Sequence, residues 1–239
     1  MKTLLRLSLI PLWMIFLAAC TRSASAPPKA DSAPTALPSL APGVPFPLAL
    51  SSTWIYEMKA HSNGQNARWR ITQTIEEVGG ETGILSARVS QRVELLSPPG
   101  SQSGRIFQPK DDSFWYVLDG NKLYRQSESP DFSTRAWGDL EIVWPPESVP
   151  CWCVSASDGC LELTGEIGPG CRHLTGSALT HQTPAGTFSG CLSLQRGYNN
   201  GGELQIFCPN VGIVAESDQH LGDDFSYEMN LIGYSLPQP

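Results

Sequence analysis

Seven cysteines and four histidines are the side chains of this 239-residue chain with the most chemistry to offer. Six of the cysteines fall late, at Cys151, Cys153, Cys160, Cys171, Cys191 and Cys208. An even count points to three disulfides if the chain folds in an oxidising compartment. A metal site is the sharper alternative, built from Cys151-Trp152-Cys153, Cys160 and Cys171-Arg172-His173. Its Cys-x-Cys spacing is not the Cys-x-x-Cys of zinc ribbons, so disulfides are the better reading and no metal or cofactor is expected. Redox catalysis by Cys151 and Cys153 lacks the βαβ pattern that accompanies such motifs. His61, His173, His181 and His220 belong to no His-Glu-x-x-His or nucleophile-elbow motif. No catalytic residue is therefore assigned, although a Ser/His/Asp set assembled in space is not visible to a motif search. The acidic groups Asp111-Asp112 and 218–224 do not match an EF-hand loop and read as solvated turns.

The elements that must position these side chains read as strands. Apolar residues alternate with polar ones over 54–59 and 68–75, the period of a half-buried strand. Gly79-Gly80 offers a turn before another strand pattern over 83–96, and Asp119-Gly120-Asn121 separates 114–118 from 122–125 as a hairpin signal. Further strands are expected over 186–196, 203–207, 211–215 and 225–236. No segment of helical length carries a clean 3.6-residue period. The expectation is an all-β fold of about ten strands, a strongly curved antiparallel sheet forming a half-barrel or barrel-like meander. Trp152, between two cysteines, has no evident place in this strand packing.

One disulfide follows from hairpin geometry. If the turn after 186–196 pivots on Asn199-Asn200, facing residues have numbers that sum to 399, and Cys191 and Cys208 meet that condition. Directly opposed antiparallel residues have Cα atoms roughly 4.5–5.5 Å apart, inside the disulfide range. The remaining four cysteines allow three pairings, of which Cys151–Cys160 with Cys153–Cys171 is preferred. These bridges would staple a Gly- and Pro-rich stretch with weak strand signals.

The N-terminus supplies the compartment. Lys2 and Arg6 precede an apolar stretch that ends at Leu17-Ala18-Ala19-Cys20, which resembles the lipobox of bacterial lipoprotein signal peptides. The apolar run is shorter than the roughly 20 residues of a spanning helix. A plain secretory signal cut near Ser23-Ala24-Ser25-Ala26 is the alternative. The lipobox implies removal of 1–19 and acylation of Cys20, which would anchor the protein to the cell membrane or the outer membrane of a bacterium. Losing Lys2 and Arg6 would take the formal charge from −7 to −9, which argues against nucleic acid as a partner. Residues 20–47, rich in Ala, Pro and Ser, read as a tether, and 48–239 as one disulfide-stapled β domain.

A second resemblance lies further on. Thr183-Pro184-Ala185-Gly186-Thr187-Phe188-Ser189-Gly190-Cys191, followed by Pro209-Asn210-Val211-Gly212-Ile213-Val214 and a last strand with Tyr227-Glu228-Met229-Asn230-Leu231, resembles a pattern in envelope proteins of the DUF3108-like group. Trp54 and Tyr56 also fit it, and the match covers about a quarter of the chain. Six cysteines in the body depart from it. The resemblance implies a strongly curved antiparallel sheet with one concave face, and no reaction. Together these readings lead to the expectation of a non-enzymatic binding or scaffold module of the cell envelope, with an unknown envelope protein or an apolar ligand as partner. The alternative expectation is a carrier holding a lipid or other apolar ligand on the concave face.

Overall fold

The computed structural model of the chain describes residues 46–62, 64–97, 108–149, 151–154, 170–198, 201–220 and 224–237. Among the described residues twelve strands follow one another: β1 Thr53–Ser62, β2 Gln65–Glu81, β3 Ile84–Ser97, β4 Asp112–Asp119, β5 Lys122–Gln126, β6 Asp139–Val143, β7 Trp152–Cys153, β8 Cys171–Thr183, β9 Gly186–Tyr198, β10 Gly201–Cys208, β11 Gly212–His220 and β12 Phe225–Ser235. They form one antiparallel sheet in the order β6-β5-β4-β3-β2-β1-β12-β11-β10-β9-β8-β7. Every strand pairs with its neighbour in sequence except at two places: β1 pairs with β12, and β6 and β7 are the edges. The sheet curls until those edges almost meet. The Leu140 amide on β6 donates to the Val154 carbonyl just past β7 at 2.7 Å, so the barrel is nearly closed.

Alternation decides which face turns inward. On β1, Trp54, Tyr56, Met58 and Ala60 are buried while their odd-numbered neighbours are not. Opposite them on β2, Ala67, Trp69, Ile71 and Ile75 are buried. One end of the interior is fully apolar. Trp54 is 1% exposed, and its indole N–H donates to the Val211 carbonyl at 2.7 Å. Phe46, just ahead of β1, stacks into the same end, 5.5 Å from Trp54 and 4.8 Å from Tyr116 between ring centroids. Phe46 and Pro47, the first described residues, are buried.

The strand count differs from the expected ten because β6, β7 and β8 carry little sequence signal. Along β8 the register slips three times against β9, between Leu174 and Gly176, Gly176 and Leu179, and Leu179 and His181. Each slip moves the apolar residues to the other face and erases the alternation. The turn expected at Gly79-Gly80 lies instead at Thr82-Gly83, where Gly83 takes φ +82° and β2 runs on to Glu81. Gly120-Asn121 joins β4 to β5 with Asp119 facing Lys122.

The β10–β11 turn holds Phe46 in place. Gly212 has φ +101°, and a Cβ there would stand 2.7 Å from the Phe46 ring. Gly64, at φ +72°, has nothing within 4 Å of a built Cβ. Gly212→Ala combines backbone strain with overpacking and is expected to destabilise the fold by about 2–4 kcal/mol, against about 1 kcal/mol for Gly64→Ala. Urea unfolding of the two variants checks the difference; equal losses would mean that Phe46 is not seated against Gly212.

Candidate functional site

The six late cysteines form no site of their own chemistry. Register pairs on β9 and β10 run from Gly201 opposite Tyr198 to Phe207 opposite Leu192, each pair summing to 399. One step further, Cys191 and Cys208 are joined, with Cα atoms 4.2 Å apart. A second bridge runs from Cys151 to Cys171, Cα to Cα 5.8 Å, and so differs from the preferred pairing of Cys151 with Cys160. In the β7–β8 register it is Cys153 that faces Cys171. Cys151, two residues back along the chain, shares that face and makes the diagonal bond. Cys153 is itself disulfide-bonded; Cys160 lies outside the described residues, as does Cys20. Trp152, unplaced by sequence, is buried in the core opposite Arg172.

The histidines are scattered. His61 has Asn66 Oδ1 3.0 Å from Nδ1 and Asp224 Oδ2 3.6 Å from Nε2, which leaves neither nitrogen for a serine. His220 stands 3.5 Å from Asp218, whose other oxygen accepts from the Tyr198 hydroxyl. His173 Nδ1 and His181 Nε2 are buried without a partner. Among the described residues no serine hydroxyl is hydrogen-bonded to any of the four imidazoles, and no three His, Cys, Asp or Glu side chains gather as a metal site.

What the motif search missed is a set of charges inside the barrel. Arg172 on β8 is 3% exposed. Its Nη1 donates to the Glu141 carbonyl at 2.9 Å and to Glu141 Oε2 at 2.8 Å, and its Nη2 donates to Glu203 Oε1 at 2.7 Å. One guanidinium thus ties β6 to β8 and β10 across the seam. Burial pushes the Glu203 carboxyl up to about 7, helped by Glu216 and Glu141 and opposed by Arg172 and Arg196. Arg172 itself is held charged: Glu141 and Glu203 outweigh the burial that works against it.

Inside the barrel the strands frame a cavity of about 210 Å³. Its wall takes Tyr56 and Met58 from β1, Gln73 from β2, Tyr116 from β4, Arg125 from β5, Glu216 from β11, and Tyr227 and Met229 from β12. Arg125 faces Tyr116 across the β4–β5 pair, and its guanidinium lies 4.0 Å above the Phe114 ring. It is exposed and lines the cavity. Burial works against its charge, but Tyr116, Glu141, Glu216 and Asp112 offset that and hold it protonated. Glu216 accepts from the Tyr227 hydroxyl and from Gln205 Nε2, the latter at 3.0 Å. Burial and the Glu216 charge push the Tyr227 phenol far up, and burial does the same to Tyr56 and Tyr116. These phenols act as neutral hydrogen-bonding groups at every physiological pH. One residue hints at this interior in the sequence: Gln73 interrupts the apolar inward series of β2 between Ile71 and Ile75.

One chain of known structure shares this architecture. A predicted exported protein with a YmcC-like fold from Bacteroides fragilis superposes with a TM-score of 0.50 at 13% identity, covering 81% of this chain and 99% of that one. A predicted lipoprotein from Parabacteroides distasonis gives a TM-score of 0.49 at 11% identity, over 81% and 99%. At such identities the likeness to the first establishes the fold alone. No family model matches the chain, and no curated protein does.

Glu203 generates a pH prediction. Its carboxyl titrates near 7 in the folded barrel and near an ordinary 4.5 in the unfolded chain, so the folded state holds the extra proton between those values. The associated stability is present below about 4.5 and is lost as pH rises through about 7. The melting temperature of the disulfide-intact chain is expected to fall between pH 5 and pH 7.5, with a shallower fall in Glu203→Gln. Identical pH profiles for the two proteins would show that folding does not raise the Glu203 carboxyl.

Proposed function

We propose that this protein is a lipid-anchored, non-enzymatic binding module of the bacterial envelope, which receives its ligand in the concave interior of the barrel. The observation that carries the reading is the cavity of about 210 Å³, walled by side chains from seven strands of a nearly closed frame and provided with both apolar and polar contacts. Sites of this make-up, concave and mostly apolar with a few convergent polar groups, are where small molecules bind. The scattered histidines, two of them held by carboxylates, support binding over catalysis. Export is supported by the leader ending at Leu17-Ala18-Ala19-Cys20, by the disulfides and by the fold shared with the predicted exported protein of Bacteroides fragilis.

The alternative, a carrier of a long acyl chain, is the weaker reading. Ligand pockets typically span about 300–1,000 Å³, and a cavity of about 210 Å³ with a guanidinium and a carboxylate in its wall suits a small polar molecule better.

The anchor has a direct test. Expressed in a bacterial envelope with an alkyne-bearing fatty acid, the full chain is expected to take up the label and to sediment with membranes, and Cys20→Ser to lose both. A Cys20→Ser protein that remains labelled and membrane-bound would overturn the lipoprotein reading.

A further inference from the structure

We infer that the interior cavity is a site for a small zwitterion, a free amino acid or a short peptide, whose carboxylate meets Arg125 and whose ammonium meets Glu216. This names the ligand class of the binding module proposed above and rests on that reading.

The two groups are the charges of the cavity wall, and they stand on strands far apart in the sheet order, β5 and β11, which the curl of the barrel brings to one cavity. Among the described residues neither has a partner of opposite charge at ion-pair distance. Arg125 has the Phe114 ring beneath it and, among the described residues, no carboxylate within 4.0 Å. Glu216 has neutral donors on both oxygens, the Tyr227 hydroxyl and Gln205. The contrast with Arg172 is informative: in the same interior that guanidinium binds two carboxylates at 2.8 and 2.7 Å. Protein interiors pair their charges because an isolated one is costly to desolvate. Arg125 and Glu216 escape that cost by facing the cavity, where solvent or a ligand completes them.

Opposite signs on opposite walls also select. A simple anion would satisfy Arg125 but leave Glu216 unpaired and repelled; a simple cation would meet the reverse problem. Only a molecule with both charges completes both groups, and discrimination by repulsion of the half-matched competitor is a general route to specificity. The Tyr116 hydroxyl adds a further contact. It faces Arg125 in the strand register, lines the cavity, and has no hydrogen-bond partner among the described residues. Between the charged walls, Tyr56 and Met58 offer an apolar surface for a side chain, and methionine adapts to varied shapes.

Calorimetric titration of the full chain, purified in mild detergent with disulfides intact, tests this. The probes are L-phenylalanine, L-leucine and glycyl-L-leucine, with 3-phenylpropionate and 2-phenylethylamine as the half-charged analogues. At least one zwitterion is expected to bind at least about tenfold more tightly than either analogue. Arg125→Gln and Glu216→Gln are each expected to weaken that zwitterion by at least about tenfold, the scale of a lost charge-assisted contact. If a variant does not fold by circular dichroism, the analogue series on the unaltered chain still decides. Binding of an analogue as tight as that of the zwitterions would overturn the inference while leaving the binding module standing. No binding of any probe would overturn the zwitterion site, and the binding-module reading would then need a ligand of another class.

Discussion

A single buried guanidinium holds this barrel together where its backbone does not. Eleven antiparallel ladders link twelve strands into one ribbon, and the ribbon has two free edges, β6 and β7. Exposed edges are unpaired hydrogen-bonding surfaces that natural sheets cover, charge or close. Here the short β7, Trp152–Cys153, offers too few backbone groups to complete a ladder, and the Leu140–Val154 hydrogen bond bridges the gap alone. Arg172 supplies the rest from inside, reaching Glu141 on β6 and Glu203 on β10 from its place on β8. Removing one member of such a buried set leaves an uncompensated charge, which costs about 3–5 kcal/mol.

The bridge Cys151–Cys171 works on the same seam. It fixes the segment around β7 to the start of β8, next to Arg172, so the guanidinium and the disulfide restrain one edge from two sides. Cys191–Cys208 clamps the neighbouring hairpin close to Phe207, which packs 6.3 Å from Phe46 between ring centroids. The result is a stiff apolar end around Trp54 and Phe46, a stapled seam, and a polar interior between them. A cavity survives there because charged and amide side chains, unlike a close-packed apolar core, keep their solvent rather than collapse onto one another.

Much of this was legible in the sequence wherever strands alternate cleanly. Inward residues of β1 and β2 read directly from 54–59 and 68–75, and Asp119-Gly120-Asn121 reads as a hairpin. The pivot at Asn199-Asn200 is enough to give the β9–β10 register. What was not legible has a physical cause in each case. Bulges break the alternation of β8, with Ala178 at φ +52° among them. β7 is two residues long and has no period to detect. Cys151 and Cys153 share a face opposite Cys171, so spacing does not choose between the direct and the diagonal bond. The interior charges were the largest omission, because a glutamate or arginine at an inward position looks like a surface residue until strands distant in sequence are brought opposite it. Arg172, Glu141 and Glu203 become one cluster only through the closed topology.

The most direct measurement of that closure is amide hydrogen exchange on the full chain and on Arg172→Met, comparing Leu140 at the seam with Met58 on central β1. If Arg172 holds the barrel shut, Leu140 is strongly protected in the unaltered chain and exchanges at nearly the rate of an open loop in Arg172→Met, while Met58 stays protected in both. If Leu140 exchanges equally in the two proteins, the seam does not depend on Arg172, and the closed frame proposed to shape the cavity has another origin.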